Sequence, residues 1–166
     1  MKKKNLEVII NHKIGPFNKT IRVDPDKSLS IRSFLIGSIC QGKSIARNIL
    51  ESEDVKSTIL ACRKLGVKIE KIKPKNYKIY GKGLGSFSIK KNSELNFGNS
   101  GTASRLLIGI LSTTPNIQVK LKGDNSLNKR SMKKLINLME KFGVTFFTNN
   151  KFTFPLKMIY SKMRID

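Results

Sequence analysis

A single histidine, His12, and two cysteines are the only imidazole and thiol groups in this chain of 166 residues. Cys40 and Cys62 show no CxxC spacing, so the sequence carries neither a zinc pattern nor a disulfide framework. Both fall on the apolar side of an expected helix and are expected to be buried free thiols. No apolar run approaches the roughly 20 residues of a membrane span. Met1-Lys2-Lys3-Lys4 leads into alternating Leu6, Val8 and Ile10, not into the core of a signal peptide. A cytoplasmic protein is expected. Acidic residues are scarce, 11 against 33 Lys and Arg, giving a formal charge of +22. The lysines are spread along the chain with no arginine-rich or aromatic-interleaved block. Nucleic acid, anionic small substrates or a Lys/Asn/Ile-rich composition would each account for them, so the charge alone decides little.

What is present is globular: 39% of residues are hydrophobic, and the length suffices for one real core. Leu6–Ile10 and Thr20–Val23 alternate like two strands joined through Gly15-Pro16. Pro25 closes the second, Asp26 is an N-cap, and a helix follows to about Cys40 with Ile31, Phe34, Leu35 and Ile39 inward. Ser28 and Arg32 are four apart and share a face at its opening, beside Lys27. Gly37 to Ser44 matches GxxxxGK[ST] letter for letter, but a helix precedes it and a strand, Ser44–Leu50, follows. That context is wrong for a phosphate loop. Ser52 caps the next helix, whose buried stripe is Val55, Ile59, Cys62 and Leu65 and whose stop is Gly66. Strands at Val67–Ile72 and Tyr77–Tyr80 flank Pro74-Lys75-Asn76.

The stretch Leu95 to Leu107 reads as a strand, a small-residue loop and a helix opening at Thr102. Gly98 and Gly101 have no Cβ to hold a ligand off the backbone, and a helix N-terminus favours an anion. Ile117, Val119 and Leu121 alternate as a strand, and Gly123 to Ser126 turns the chain. A helix follows with Met132, Leu135, Ile136, Met139 and Phe142 inward, stopped by Gly143. Val144–Phe147 and Phe152–Phe154 are the last expected strands. The two halves repeat as helix, strand, helix, Gly-Val, strand, strand. Leu65-Gly66-Val67 answers Phe142-Gly143-Val144, which implies an α/β fold of two like units.

Three motifs then stand in order: Asp26-Lys27-Ser28-Leu29-Ser30-Ile31-Arg32, Gly98-Asn99-Ser100-Gly101-Thr102-Ala103-Ser104-Arg105, and Gly123-Asp124-Asn125-Ser126-Leu127-Asn128-Lys129-Arg130-Ser131-Met132. In order and spacing over most of the chain they resemble the enolpyruvyl transferases, and within these the EPSP synthases. The sister branch with a UDP-sugar acceptor shares the fold, but the Asp-Lys-Ser-x-Ser-x-Arg pattern speaks against it. The resemblance implies repeated βαβαββ units, about two of them here, roughly 24–90 and 91–160. Residues 1–23 would belong to the first domain of the full enzyme and 24–166 to part of the second.

The resemblance further implies transfer of the enolpyruvyl group of phosphoenolpyruvate to the 5-hydroxyl of shikimate 3-phosphate in the shikimate pathway, releasing phosphate. No metal or organic cofactor, no membrane partner and a monomer are expected. Lys27, Ser28 and Arg32 would hold shikimate 3-phosphate. Lys27, Gly101 and Arg130 would hold phosphoenolpyruvate, with Asn99 and Thr102 supporting the loop. Asp24-Pro25 replaces the family's Pro-Gly before the first motif, which bears on how Lys27 is aimed. The acid/base carboxylates are expected beyond Asp166, so the chain is expected to be an N-terminal piece, inactive alone. The contrasting expectation is a basic module that contacts nucleic acid.

Overall fold

The computed structural model describes residues 23–162 and, before them, residues 7, 9, 11, 13, 15, 16 and 18–21. Helix α1 (Lys27–Ile39) opens where expected: the Asp26 carboxylate accepts from the Leu29 N–H at 2.6 Å. Strand β1 (Gln41–Ala46) leaves its end, and α2 (Glu53–Lys64) follows. β2 (Lys68–Lys73) and β3 (Asn76–Lys82) form a hairpin turned by Lys75 at φ 59°. Then come β4 (Ser93–Asn96), α3 (Gly101–Ser112), β5 (Gln118–Lys122), α4 (Lys133–Glu140), β6 (Thr145–Phe147) and β7 (Leu156–Ile159).

The repeat seen in the sequence is a repeat of topology. The first sheet has the order β1-β3-β2, antiparallel throughout. The second has β4-β5-β7-β6, in which β5-β7-β6 reproduces that arrangement and β4 adds parallel to β5 through the α3 crossover. The second unit is thus a full βαβαββ, and the described residues of the first supply αβαββ. Both units share one core. Phe34 of α1 meets Tyr77 of β3 edge-on, with ring centroids 5.2 Å apart. α1 lies so close on β3 that a Cβ at Gly81 would collide with the Cys40 and Gly37 carbonyls. Among the described residues no helix is long and apolar enough to cross a membrane.

Several expectations need correction. Leu6, Val8, Ile10 and Arg22 lie outside the described residues. Thr20, Ile21 and Val23 are exposed and belong to no strand among the described residues. β1 runs 41–46 instead of 44–50, because it pairs with β3 from Gln41 and the chain turns at Asn48, φ 53°. Cys40 is exposed, not buried: as the C-cap of α1 it adopts an extended conformation and leaves the helical face that periodicity assigned to it. Ser52 precedes α2, yet its hydroxyl makes no cap bond and stands buried without a partner. Phe142 is half-exposed because α4 ends at Glu140, so helical phase no longer directs it. Phe152–Phe154 is not a strand. Phe152 is left-handed at φ 54°, Asn149 bonds the N–H groups of Lys151 and Thr153, and β7 starts only after Pro155.

Candidate functional site

Two helix openings carry the predicted residues. At the first, Lys27 begins α1 and its ammonium lies 2.9 Å from the Asp54 carboxylate of α2. Asp54 is largely covered, whereas Lys27 is half-exposed, so the bond holds the ammonium at the surface without removing it from solvent. Ser28 is partly buried one residue on. The Arg32 guanidinium is exposed one turn further and has no hydrogen-bond or ion-pair partner among the described residues. The Lys27 and Asp54 contact was not foreseen. In the sequence Asp54 is one of two acids in the first turn of α2, and only the packing of α2 on α1 shows its partner.

The second opening is the β4–α3 loop. Gly98, at φ 54°, takes a conformation that a side chain disfavours, and a Cβ there would lie 2.8 Å from the Ser57 hydroxyl of α2. Its carbonyl accepts from the Asp124 N–H at 2.8 Å, tying the loop to the turn after β5. That turn is held by Asp124, whose carboxylate accepts from Ser126 and Leu127, and it leads into a short 3-10 helix, Leu127–Lys129. Arg130 follows and reaches back: its guanidinium donates to the Asn99 side chain at 2.8 Å. Asn99, Gly101 and Arg130 are therefore neighbours. Asp54 and Ser57 are one turn apart on α2, so the same helix backs both openings.

Two details differ from the sequence reading. α3 opens at Gly101, not Thr102, with the Ser100 hydroxyl accepting from the Ala103 N–H at 3.2 Å. Gly101 also has less backbone to offer than expected. Its N–H is bonded to the Asn99 carbonyl at 2.9 Å, and its carbonyl accepts from Ser104 and Arg105 at 3.1 Å each. The Thr102 N–H has no partner among the described residues and is the free donor of that turn. A cleft of about 430 Å³ lies to one side; Ser57, Leu60, Arg63, Lys64, Asn96 and Gly98 are among the residues that line it, and only Gly98 belongs to the loop. The candidate site is thus a face built of two helix termini.

A scaffold of repeated α-β-α-β-β units that gathers ammonium and guanidinium groups at two such openings is equipped to hold small polyvalent anions, which Arg takes bidentately. Residues 11–164 match the family model described as EPSP synthase (3-phosphoshikimate 1-carboxyvinyltransferase). The 3-phosphoshikimate 1-carboxyvinyltransferase of Leptospira interrogans is 38% identical over 148 residues, covering 89% of this chain and 33% of that protein. Its counterpart from Streptococcus pyogenes is 39% identical over 141 residues, covering 85% and 32%. The EPSP synthase structure from Acinetobacter baumannii superposes with a TM-score of 0.77 at 35% identity, over 85% of this chain and 32% of the other. The chain belongs to the EPSP synthase family. It spans about a third of the length of the curated relatives it matches.

Proposed function

We propose that this chain binds shikimate 3-phosphate and phosphoenolpyruvate for transfer of the enolpyruvyl group to the 5-hydroxyl of the former, with loss of phosphate. The observation that carries the reading is the junction of Asn99 and Arg130, which are 31 residues apart and closed onto each other beside Gly101 at the mouth of α3. Lys27, Ser28 and Arg32 hold shikimate 3-phosphate, and Lys27, Gly101 and Arg130 hold phosphoenolpyruvate. Fixed cations offset the charge of two anions brought together and stabilise it as it shifts during addition and elimination. The chain's own contribution is binding; the acid and base that the reaction needs are not among these residues. In this reading residues 1–23 belong to one domain of the enzyme and 24–166 to the other. The enzyme works in the cytoplasm as a monomer.

The test is titration of the chain with shikimate 3-phosphate, followed by amide NMR shifts. Binding that moves the Lys27–Arg32 signals and weakens at least about tenfold in Arg32→Ala is expected, since a phosphate contact of Arg is charge-assisted. The contrasting reading is a nucleic-acid module. It predicts oligonucleotide affinity that falls steeply with salt and ignores Arg32; that result, with no response to shikimate 3-phosphate, would refute the proposal.

A further inference from the structure

The cleft of about 430 Å³ between α2 and β4 is outside every assignment made so far, and its size falls within the roughly 300–1,000 Å³ of small-molecule pockets. Ser57, Leu60, Ala61 and Lys64 stand three to four apart, so one face of α2 forms a wall, with Asn96 of β4 across from it. The two cations of the cleft are held by neutral groups. The Arg63 guanidinium donates to the Ile69 carbonyl at 2.6 Å, and the Lys64 ammonium to the Glu94 carbonyl at 3.1 Å. Neither has a carboxylate within ion-pair distance among the described residues, and the Glu94 carboxylate is engaged by Lys122 at 2.6 Å. Both therefore keep their charge and spare N–H donors. They stand in the last turn of α2, where two unit charges outweigh the roughly half negative charge of a helix terminus. At the other end, the Ser57 hydroxyl has no hydrogen-bond partner among the described residues. The Asn96 oxygen accepts from the Gly98 N–H at 3.0 Å, which leaves its amide N–H groups to donate. The exposed Leu60 side chain lies between the two ends.

We propose that the cleft between α2 and β4 binds a small organic monoanion with an apolar body, its carboxylate at Arg63 and Lys64 and its body on Leu60. A carboxylate matches the fork of Arg63 and supplies the counter-charge that both cations lack. An inorganic anion would leave Leu60 uncovered, and a neutral apolar molecule would leave the cations unpaired, so the class is an aryl or branched-alkyl carboxylate. Ser57 and Asn96 meet a hydroxyl or carbonyl carried at the far end of the body. This site is distinct from the two helix openings. Lys64 follows Asp54 by about three turns of α2, roughly 15 Å along its axis. Of the residues named for the cleft, only Gly98 also belongs to the β4–α3 loop.

The experiment uses the full chain, labelled with nitrogen-15 and at the leucine methyls with carbon-13. It is titrated with phenylacetate, with its neutral analogue phenylacetamide, and with acetate, which has no apolar body. Phenylacetate is expected to move the Leu60 methyl, Arg63 Nε–H and Asn96 amide signals saturably. Phenylacetamide and acetate are expected to bind at least about tenfold more weakly, since each lacks one half of the match. Lys64→Met, which keeps an apolar stem, and Leu60→Asp, which sets a carboxylate in the cleft at an exposed position, are each expected to weaken phenylacetate about tenfold. Unchanged thermal unfolding reports that these variants are folded, and either one decides if the other fails that check. Arg130→Ala is expected to leave phenylacetate affinity within about twofold, as a residue of a separate site should. Equal binding of phenylacetamide overturns the proposal, as do shifts that scatter over exposed lysines without saturating. Affinity that survives Lys64→Met and Leu60→Asp, or that is lost in Arg130→Ala, overturns it as well. None of these readouts uses shikimate 3-phosphate or phosphoenolpyruvate, so the cleft and the proposed function stand or fall separately.

Discussion

Lys27 and Gly81 show what single residues contribute. The Lys27 ammonium is kept at the α1 opening by Asp54, and a half-exposed pair of this kind is worth about 0.2–1 kcal/mol in stability. In the proposed function its value is direction. Asp54→Asn should therefore leave thermal unfolding nearly unchanged and weaken shikimate 3-phosphate several-fold in a titration. A large loss of stability with unchanged affinity would contradict this. Gly81 is the opposite case. A methyl there meets the Cys40 and Gly37 carbonyls, which are backbone and cannot swing aside. Gly81→Ala should cost at least about 1–3 kcal/mol, measured by denaturant unfolding, because α1 must lift off β3.

At the scale of elements, Glu51 fastens the entry of α2 to the β2–β3 hairpin. Its carboxylate accepts from the Tyr77 hydroxyl at 2.6 Å, lies 2.8 Å from the Lys71 ammonium and accepts from the Lys75 N–H at 3.3 Å. The Lys71 bond first, and the Tyr77 bond next, pull the Glu51 carboxyl from 4.5 down to about 2. A lowered pKa means that the fastening is complete above pH 4.5 and is lost as the pH falls toward 2. Stability should therefore drop through that window, and Glu51→Gln should flatten the drop in pH-dependent denaturant melts. A slope identical in the variant would assign the acid loss to other groups. The Tyr77 hydroxyl is pushed up to about 12, by burial first and the Glu51 bond second, so it keeps donating throughout.

For the whole molecule, the decisive fact is one core shared by two units. Ile31, Phe34 and Leu35 of α1 and Leu107, Ile108 and Leu111 of α3 are buried in the same cluster as the inward residues of both sheets. The two units should unfold in one transition. Leu107→Ala should cost about 2–5 kcal/mol and lower the melting of both sheets together, as read by hydrogen exchange. Separate loss of the second sheet would show the units to be independent. The thiols offer a second check. Burial raises the Cys62 thiol to about 11 while Cys40 is exposed, so a thiol reagent should label Cys40 in the native protein and Cys62 only on unfolding.

Much of this was legible in the residues themselves. Helical periodicity, caps and glycine stops are local, so α1, α2 and α3 fall within a few residues of expectation. The internal repeat announced two like sheets because the same strand order must bury the same pattern. The three motifs named the family, since spacing along a chain survives without knowledge of its path. What the chain alone could not show was every contact closed by packing. Asp54 meets Lys27 across two helices, Arg105 folds onto Gly101, and Asn149 and Phe152 turn the chain where alternation suggested a strand. Local pattern decides which elements form. Only the tertiary structure decides which side chains from different elements converge, because that depends on how those elements bury their faces against one another.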